Sequence, residues 1–309
     1  MIDFSIAIHG GAGTILKSNM TPELEANYKA ALDAAISEAY KVLDDGKSCV
    51  DAVELAVKIL EDSPLFNAGK GSVFDSTGGH EMDASIMEGT QKEAGAVSAI
   101  SGVRNPIELA RIVMEKSEHV MMIGKGAEEF AKIHQVQFES KDYFFDQFRY
   151  DQWQKIKDTG SFQLDHSDKK EQKFGTVGAV AKDRDGNIAA ATSTGGMTNK
   201  LYGRVGDSSI IGSGTYANNK TCAVSCTGSG EYFMRGVIAY DVSCLMEFKG
   251  LSLEEASNEV IHKRLIEING DGGLIAVDAQ GQLVLPFNTE GMYRASWIAN
   301  QEKKIHIYK

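Results

Sequence analysis

The stretch Gln163–Lys173 (QLDHSDKKEQK) has almost nothing apolar, yet beyond Phe174 and Gly175 the chain enters Thr176–Ala181 (TVGAVA), which has no charge at all. The first stretch lacks the apolar surface to join a core and reads as a surface loop. The second reads as a buried strand. Whatever fold forms must therefore pass from solvent to core at Gly175-Thr176. A threonine at the head of a strand is ordinary, because β-branched residues suit strands. If the Gly175–Thr176 bond were cut, however, Thr176 would carry both a hydroxyl and a free α-amine. That amine titrates at roughly 7.7–8.0 and can take the hydroxyl proton, so the one residue would be a nucleophile with its own base.

A length of 309 residues allows one large or two ordinary domains. With 42% apolar residues a sizeable core is available, and 24% charged residues is usual for a globular chain. The net charge of −11, with no Lys/Arg cluster, argues against nucleic acid as a main partner. Cys49, Cys222, Cys226 and Cys244 have no C-x-x-C spacing, and Cys222 and Cys226 sit in a strand-like run as small apolar residues. The N-terminus carries no basic segment followed by a long apolar one, and no run approaches the ~20 apolar residues of a membrane span. A reducing, cytoplasmic setting is the expectation.

Helical and strand-like patterns come in blocks. Phe4–Ile8 reads as a strand. Thr21-Pro22 opens a long helix that Gly46 stops, and Ser48 with Asp51 opens a second. Met82–Met87 and Ala94–Ile100 read as strands, Asn105-Pro106 opens a helix to Lys116, and 124–134 forms another. Beyond a linker at Glu139–Lys173 lie strands at Thr176–Ala181, Ile188–Ser193 and Ala223–Cys226. Helices at Glu231–Phe248 and Ser252–Ile268 precede a hairpin, Leu274–Val277 with Leu283–Leu285, turning at Asp278–Gly281. Helix pairs separated by strand clusters suggest helices covering a strand-rich centre.

Amide hydrolysis by a threonine needs a nucleophile with a base, oxyanion donors, substrate anchors and a fixed nucleophile rotamer. None of the seven histidines suggests a triad; His9 alone lies in a Gly-rich motif, and its role stays open between support and chemistry. Arg204 and Asp207 are three apart in a Gly-rich loop. They read either as a surface ion pair of little worth or as a clamp for a zwitterion. In the clamp, the guanidinium takes a carboxylate and the carboxylate takes an ammonium.

The ordered motifs are His9-Gly10-Gly11-Ala12-Gly13, Phe66-Asn67-Ala68-Gly69-Lys70-Gly71, Gly175-Thr176-Val177-Gly178, Thr192-Ser193-Thr194-Gly195-Gly196-Met197, Gly203-Arg204-Val205-Gly206-Asp207 and Ser225-Cys226-Thr227-Gly228-Ser229-Gly230-Glu231. Together they closely resemble the plant-type L-asparaginase/isoaspartyl peptidase family of N-terminal-nucleophile hydrolases, from about Ile6 to about Trp297. The resemblance implies an α+β fold, a four-layer αββα sandwich. It also implies one domain over residues 1–309, self-cleaved within that fold into 1–175 and 176–309.

The resemblance makes Thr176 the nucleophile. It has Thr194 hold the Thr176 hydroxyl or amine, and Thr227 with the Gly228 N–H form the oxyanion hole. Blander readings are a strand-end hydroxyl for Thr194 and a helix N-cap for Thr227. Arg204 and Asp207 match substrate-binding positions, and Gly230 leaves room for the substrate. Gly10 and Gly11 belong to a turn beneath the scissile junction, and Asn67 supports the site from a Gly-rich loop. In that loop the main-chain carbonyls of Leu60, Glu61, Ser63, Phe66, Ala68 and Lys70 would hold a structural sodium ion; no catalytic cofactor is implied. Tyr202 stands where relatives often have proline.

The expected activity is hydrolysis of β-aspartyl (isoaspartyl) dipeptides and of the L-asparagine side-chain amide, through a β-aspartyl ester on Thr176. The expected partner is a second copy, giving an (αβ)₂ heterotetramer, with no nucleic acid or membrane. One competing reading is glycosylasparaginase, disfavoured because its usual Asp-Thr-Ile-Gly is Gly175-Thr176-Val177-Gly178 here. The other is an uncleaved, silent binder of aspartyl ligands, disfavoured by the intact threonines, Arg204 and Asp207.

Overall fold

The computed structural model describes residues 2–158 and 175–309. From the N-terminus, β1 (Ser5–Gly13) leads to α1 (Pro22–Asp44) and α2 (Cys49–Glu61). Next come β2 (Met82–Glu88), β3 (Ala94–Ile100), α3 (Pro106–Lys116), β4 (Met121–Ile123) and α4 (Gly124–Ile133), then the short α5 (Lys141–Phe144) and α6 (Gln147–Ile156). The second described segment begins with β5 (Val177–Lys182), β6 (Ile188–Thr194), β7 (Thr215–Ala217) and β8 (Cys222–Gly228). It continues through α7 (Gly230–Gly236), α8 (Ile238–Lys249), α9 (Leu253–Glu259) and α10 (Leu265–Glu267) to β9 (Gly272–Asp278), β10 (Leu283–Val284), β11 (Gly291–Ile298) and β12 (Lys304–Tyr308).

An eight-stranded sheet has the order β12-β11-β1-β5-β6-β2-β3-β4, antiparallel except for the parallel β3–β4 edge. A four-stranded antiparallel sheet has the order β10-β9-β8-β7. Helices α1, α2 and α3 cover one face of the larger sheet, whose other face packs on β7, β8 and β9; α8 and α9 cover the far side of the smaller sheet. Four layers result, αββα, as expected.

Strand parity decides what fills each layer. Ile6 and Ile8, Val177 and Ala179, Ala189 and Ala191, and Ala84 and Ile86 face the helices and join their core. The alternate positions Ala7, Val180, Ile188, Ala190 and Met87 join the core shared with the smaller sheet. By the same alternation His9, Asp83, Ser85, Thr192 and Thr194, with Thr176 one residue ahead of β5, lie on the inter-sheet side. The layer between the sheets is thus apolar over part of its extent and polar where the Gly175–Thr176 junction enters it.

The expected helix starts are present: Thr21 caps α1 by accepting from Leu24 N–H with Pro22 next, and Ser48 caps α2 by accepting from Asp51 N–H. Other readings need correction. The expected turn at Gly10–Gly13 is a continuation of β1, bulged between His9 and Gly11, because β11 keeps pairing with it to Gly13. The described part of the Glu139–Lys173 linker is ordered as α5 and α6, since Phe145, Tyr150 and Trp153 pack around Phe74. The loop reading for Gln163–Lys173 lies outside the described residues. The helix expected over Glu231–Phe248 breaks at Val237, which is left-handed with φ 49°, and β4, β7, β11 and β12 had no expectation. Among the described residues no helix is long and apolar enough to cross a membrane.

Candidate active site

Thr176 is 8% exposed and sits at the mouth of β5, where β1 and β6 flank it. Gly11 and Gly175 meet back to back there. A Cβ on Gly11, whose φ is +113°, would stand 2.6 Å from the Gly175 Cα, and one on Gly175 would stand 2.7 Å from the Gly11 Cα. Only glycines allow the bulged strand to support the junction this closely.

The Thr176 hydroxyl donates to Thr194 Oγ1 at 3.1 Å, and Thr194 Oγ1 also accepts from Gly196 N–H at 3.1 Å. Ser208 Oγ stands 3.5 Å from Thr176 Oγ1; the sequence reading missed it, since only its place after Asp207 marks it. Asn67 does not reach Thr176 but fixes the turn after Thr194. Its Nδ2 donates to Gly196 O at 2.7 Å, its carbonyl accepts from Gly195 N–H at 3.0 Å, and its Oδ1 accepts from Val73 N–H at 3.1 Å.

Thr227 is not a helix cap. It lies in β8, which runs on to Gly228 through pairing with Gly272, and Ser229 takes the N-cap position of α7. Its Oγ1 accepts from Ala12 N–H at 3.2 Å and lies 3.0 Å from where a Cβ on Gly175 would be. With a lone pair engaged by Ala12, the Thr227 hydroxyl hydrogen is free to donate at the junction.

Arg204 and Asp207 converge on Gly230 but do not form the ion pair of the bland reading. Arg204 Nε and Nη2 both donate to Glu231 Oε1 at 2.8 Å, a partner missed in sequence although it follows Gly230 directly. Gly230 faces both groups, because a Cβ there would stand 2.8 Å from Asp207 Oδ1 and 2.9 Å from Arg204 Nη2. Asp207 is buried, and its Oδ2 and Glu231 Oε2 lack hydrogen-bond partners. Burial pushes the Asp207 carboxyl up to about 7 against the pull of the Arg204 charge. Two buried carboxylate oxygens without donors beside a guanidinium can accept from a cationic group next to an anionic one. Asp83, fully buried nearby, is likewise pushed up by burial and held down by Lys200 and Arg204. Tyr202, at φ 55°, is 99% exposed.

Of the six carbonyls expected for sodium, those of Leu60 and Glu61 end α2 and the other four lie in the tightly wound segment that follows it. The Glu61 carbonyl oxygen is 2.5 Å from where a Cβ on Gly69 would be, and the Phe66 carbonyl oxygen crowds the same place at Gly71. The Leu60 carbonyl already accepts from Asp62 and Ser63 N–H groups, whereas the Phe66 and Ala68 carbonyls accept from Ala68 and Gly71 N–H and keep a second lone pair. Neutral backbone oxygens are donors of the kind a hard cation takes.

A four-layer αββα sandwich with a threonine at the mouth of a central strand is the architecture of the N-terminal-nucleophile hydrolases. The chain belongs to the asparaginase family, whose pattern it matches over residues 2–307. It is 52% identical over 308 residues to the isoaspartyl peptidase of Escherichia coli (strain K12), covering 98% of this chain and 96% of that protein. It is 47% identical to a putative isoaspartyl peptidase/L-asparaginase of Dictyostelium discoideum, covering 94% and 92% of the two chains. Identity to a probable isoaspartyl peptidase/L-asparaginase 2 of Arabidopsis thaliana is 42%, covering 94% of each.

Proposed function

We propose that this chain is a self-processing threonine amidohydrolase acting on β-aspartyl dipeptides and on the side-chain amide of L-asparagine. The observation that carries the reading is the pairing of the Thr176 hydroxyl with Thr194 at 3.1 Å while the Thr227 hydroxyl borders Gly175. In processing, Thr176 Oγ1 attacks the Gly175 carbonyl carbon, the C–N bond breaks, and the nitrogen leaves as the Thr176 amine. Water then hydrolyses the ester, returning the hydroxyl and leaving a Gly175 carboxylate.

In turnover the freed amine takes the Oγ1 proton and Oγ1 attacks the substrate side-chain carbonyl. The oxyanion is met by Thr227 Oγ1–H and Gly228 N–H. Ammonia or an amino acid leaves with the proton, and water releases aspartate from the ester. Arg204 holds the α-carboxylate and Asp207 the α-ammonium, with Gly230 giving room. The names of the relatives, isoaspartyl peptidase among them, support this substrate class. The carbonyls of Leu60, Glu61, Ser63, Phe66, Ala68 and Lys70 would hold a sodium ion, which would stiffen the loop bearing Asn67. A cytoplasmic (αβ)₂ assembly completes the proposal.

Denaturing mass spectrometry of purified protein tests it. Wild type resolves into Met1–Gly175 and Thr176–Lys309 without added protease, and Thr176→Ala remains one inactive chain. An active wild type that stays uncut would overturn the mechanism.

A further inference from the structure

Between the two sheets runs a chain of fully buried polar side chains that ends on the nucleophile residue. His9 Nδ1 lies 3.0 Å from the Thr176 carbonyl oxygen. A carbonyl only accepts, so Nδ1 carries the hydrogen and Nε2 is left as an acceptor. Ser225 Oγ, 2.9 Å away, donates to it. Thr192 lies 2.7 Å from Ser225 Oγ, Thr215 2.6 Å from Thr192, and Ser85 2.8 Å from Thr215. With Ser225 committed to His9, the donors order as Thr215 to Thr192 to Ser225, and Ser85 shares its one hydrogen between Thr215 Oγ1 and the Ser208 carbonyl oxygen, 2.6 Å away. All five side chains are at 0% exposure, in strands β1, β8, β6, β7 and β2.

The place where this chain ends has a reason in the backbone. The β1–β5 register stops at His9–Gly178, and β1 bulges immediately afterwards. The rung that would hold Thr176 is therefore missing from β1, and the His9 ring supplies its donor. Gly178 faces the same spot. A Cβ there would fall on Ser225 Oγ and His9 Nε2, closer than any real contact. Desolvation holds the His9 imidazole down at about 3, so it stays neutral across working pH, and the Thr176 carbonyl keeps the hydrogen on Nδ1.

We infer that His9 is a positioning residue that anchors the backbone of Thr176, with its Nε2 held by the Ser225–Thr192–Thr215 hydroxyl chain, and that the glycine at 178 is required for this link to pass. The inference rests on the reading of Thr176 as a nucleophile freed by cleavage. A new chain terminus frays unless tied down. Here the Thr194 contact holds the side chain and His9 holds the carbonyl, so the amine and Oγ1 keep one geometry. The polar contacts of His9 go to Thr176 O and Ser225 Oγ, not to Arg204 or Asp207.

The test compares His9→Leu, His9→Asn, His9→Gln and Gly178→Ala in the full chain, reading self-cleavage rate, kcat and KM per cleaved protomer, and Tm. Asparagine places a donor where Nδ1 stands and can serve Thr176; glutamine reaches toward Ser225 instead. Misplacement of a reacting group by about 1 Å can cost roughly a hundredfold in rate. We expect His9→Leu and Gly178→Ala to slow cleavage and kcat by at least about tenfold with KM for L-asparagine little changed. His9→Asn should recover most of the loss and His9→Gln should not. Wild-type rates in His9→Leu would overturn the inference. So would equal losses in the Asn and Gln variants that follow Tm, since that is the mark of a structural histidine. Hydrolysis by Thr176→Ala is a different failure, that of the nucleophile itself.

Discussion

Asp207 must be a carboxylate to hold an ammonium, yet its surroundings favour the neutral acid. Burial raises it to about 7, Arg204 opposes this, and Glu231 and Asp83 add to it. The group is raised in the folded state, so its contribution to stability is fully present below the unfolded pKa and is lost as pH rises through about 7. Asp207→Asn removes that loss. Its Tm advantage over wild type is therefore expected to widen between roughly pH 4 and pH 8; a constant difference would mean that the carboxyl is not shifted. Function follows the opposite sign. In wild type, KM for L-asparagine should rise as pH falls below about 7, because the free enzyme then carries the acid. The acid limb of kcat instead reports the Thr176 amine, whose reference value is roughly 7.7–8.0. Arg204→Ala should lower kcat/KM by the equivalent of about 2–5 kcal/mol and leave self-cleavage intact, because the uncut junction has no α-carboxylate to anchor. Equal loss of cleavage would assign Arg204 to folding.

At the scale of elements, the β1 bulge supports the junction, and Gly11 is its tightest point. Gly11→Ala adds a Cβ 2.6 Å from Gly175 backbone at φ +113°, a strain of about 1–3 kcal/mol. It should halt self-cleavage and lower Tm; normal processing would show that the two segments need not touch. The bulge illustrates what the sequence left hidden. Capped helices such as α1 and α2 were legible because their start signals are local, and β5 and β6 because their apolar runs are unbroken. β7 is three residues long, and β12 alternates exposed Lys304 and His306 with inward residues at an edge, so neither carries a strong local pattern. The break at Val237 puts a β-branched residue in a left-handed conformation, against its own preference. Motif resemblance singled out Thr176, Thr194, Thr227, Arg204 and Asp207. Ser85, Thr215 and Ser225 escaped because a hydroxyl on a strand looks the same whether it faces solvent or a buried chain; Ser208, in a turn, and Glu231, in α7, had only their places after Asp207 and Gly230 to mark them. Only the pairing of strands distant in sequence brings the strand hydroxyls together.

The larger sheet also fixes what a cut at Gly175 can do to the whole molecule. Its order β12-β11-β1-β5-β6-β2-β3-β4 alternates strands from either side of the junction, with β1 between β11 and β5 and β2 beside β6. Residues 1–175 would supply α1, α2 and α3 to one outer layer, whereas α8 and α9 of the other come from residues 176–309. The core under α1–α3 contains Ile6 and Leu32 together with Val177, Ala191 and Tyr293, so both pieces share it. Separating them would expose that core and strip three strand interfaces of their hydrogen bonds, at β11–β1, β1–β5 and β6–β2. Residues 176–309 hold the smaller sheet with α8 and α9, but the larger sheet is incomplete in either piece and neither holds all four layers. The processed protein is therefore expected to elute as one species in native buffer and to unfold in a single cooperative transition, with both fragments lost together by hydrogen exchange and circular dichroism. Fragments that part in native buffer, or that melt at separate temperatures, would show that the junction divides two folding units rather than one.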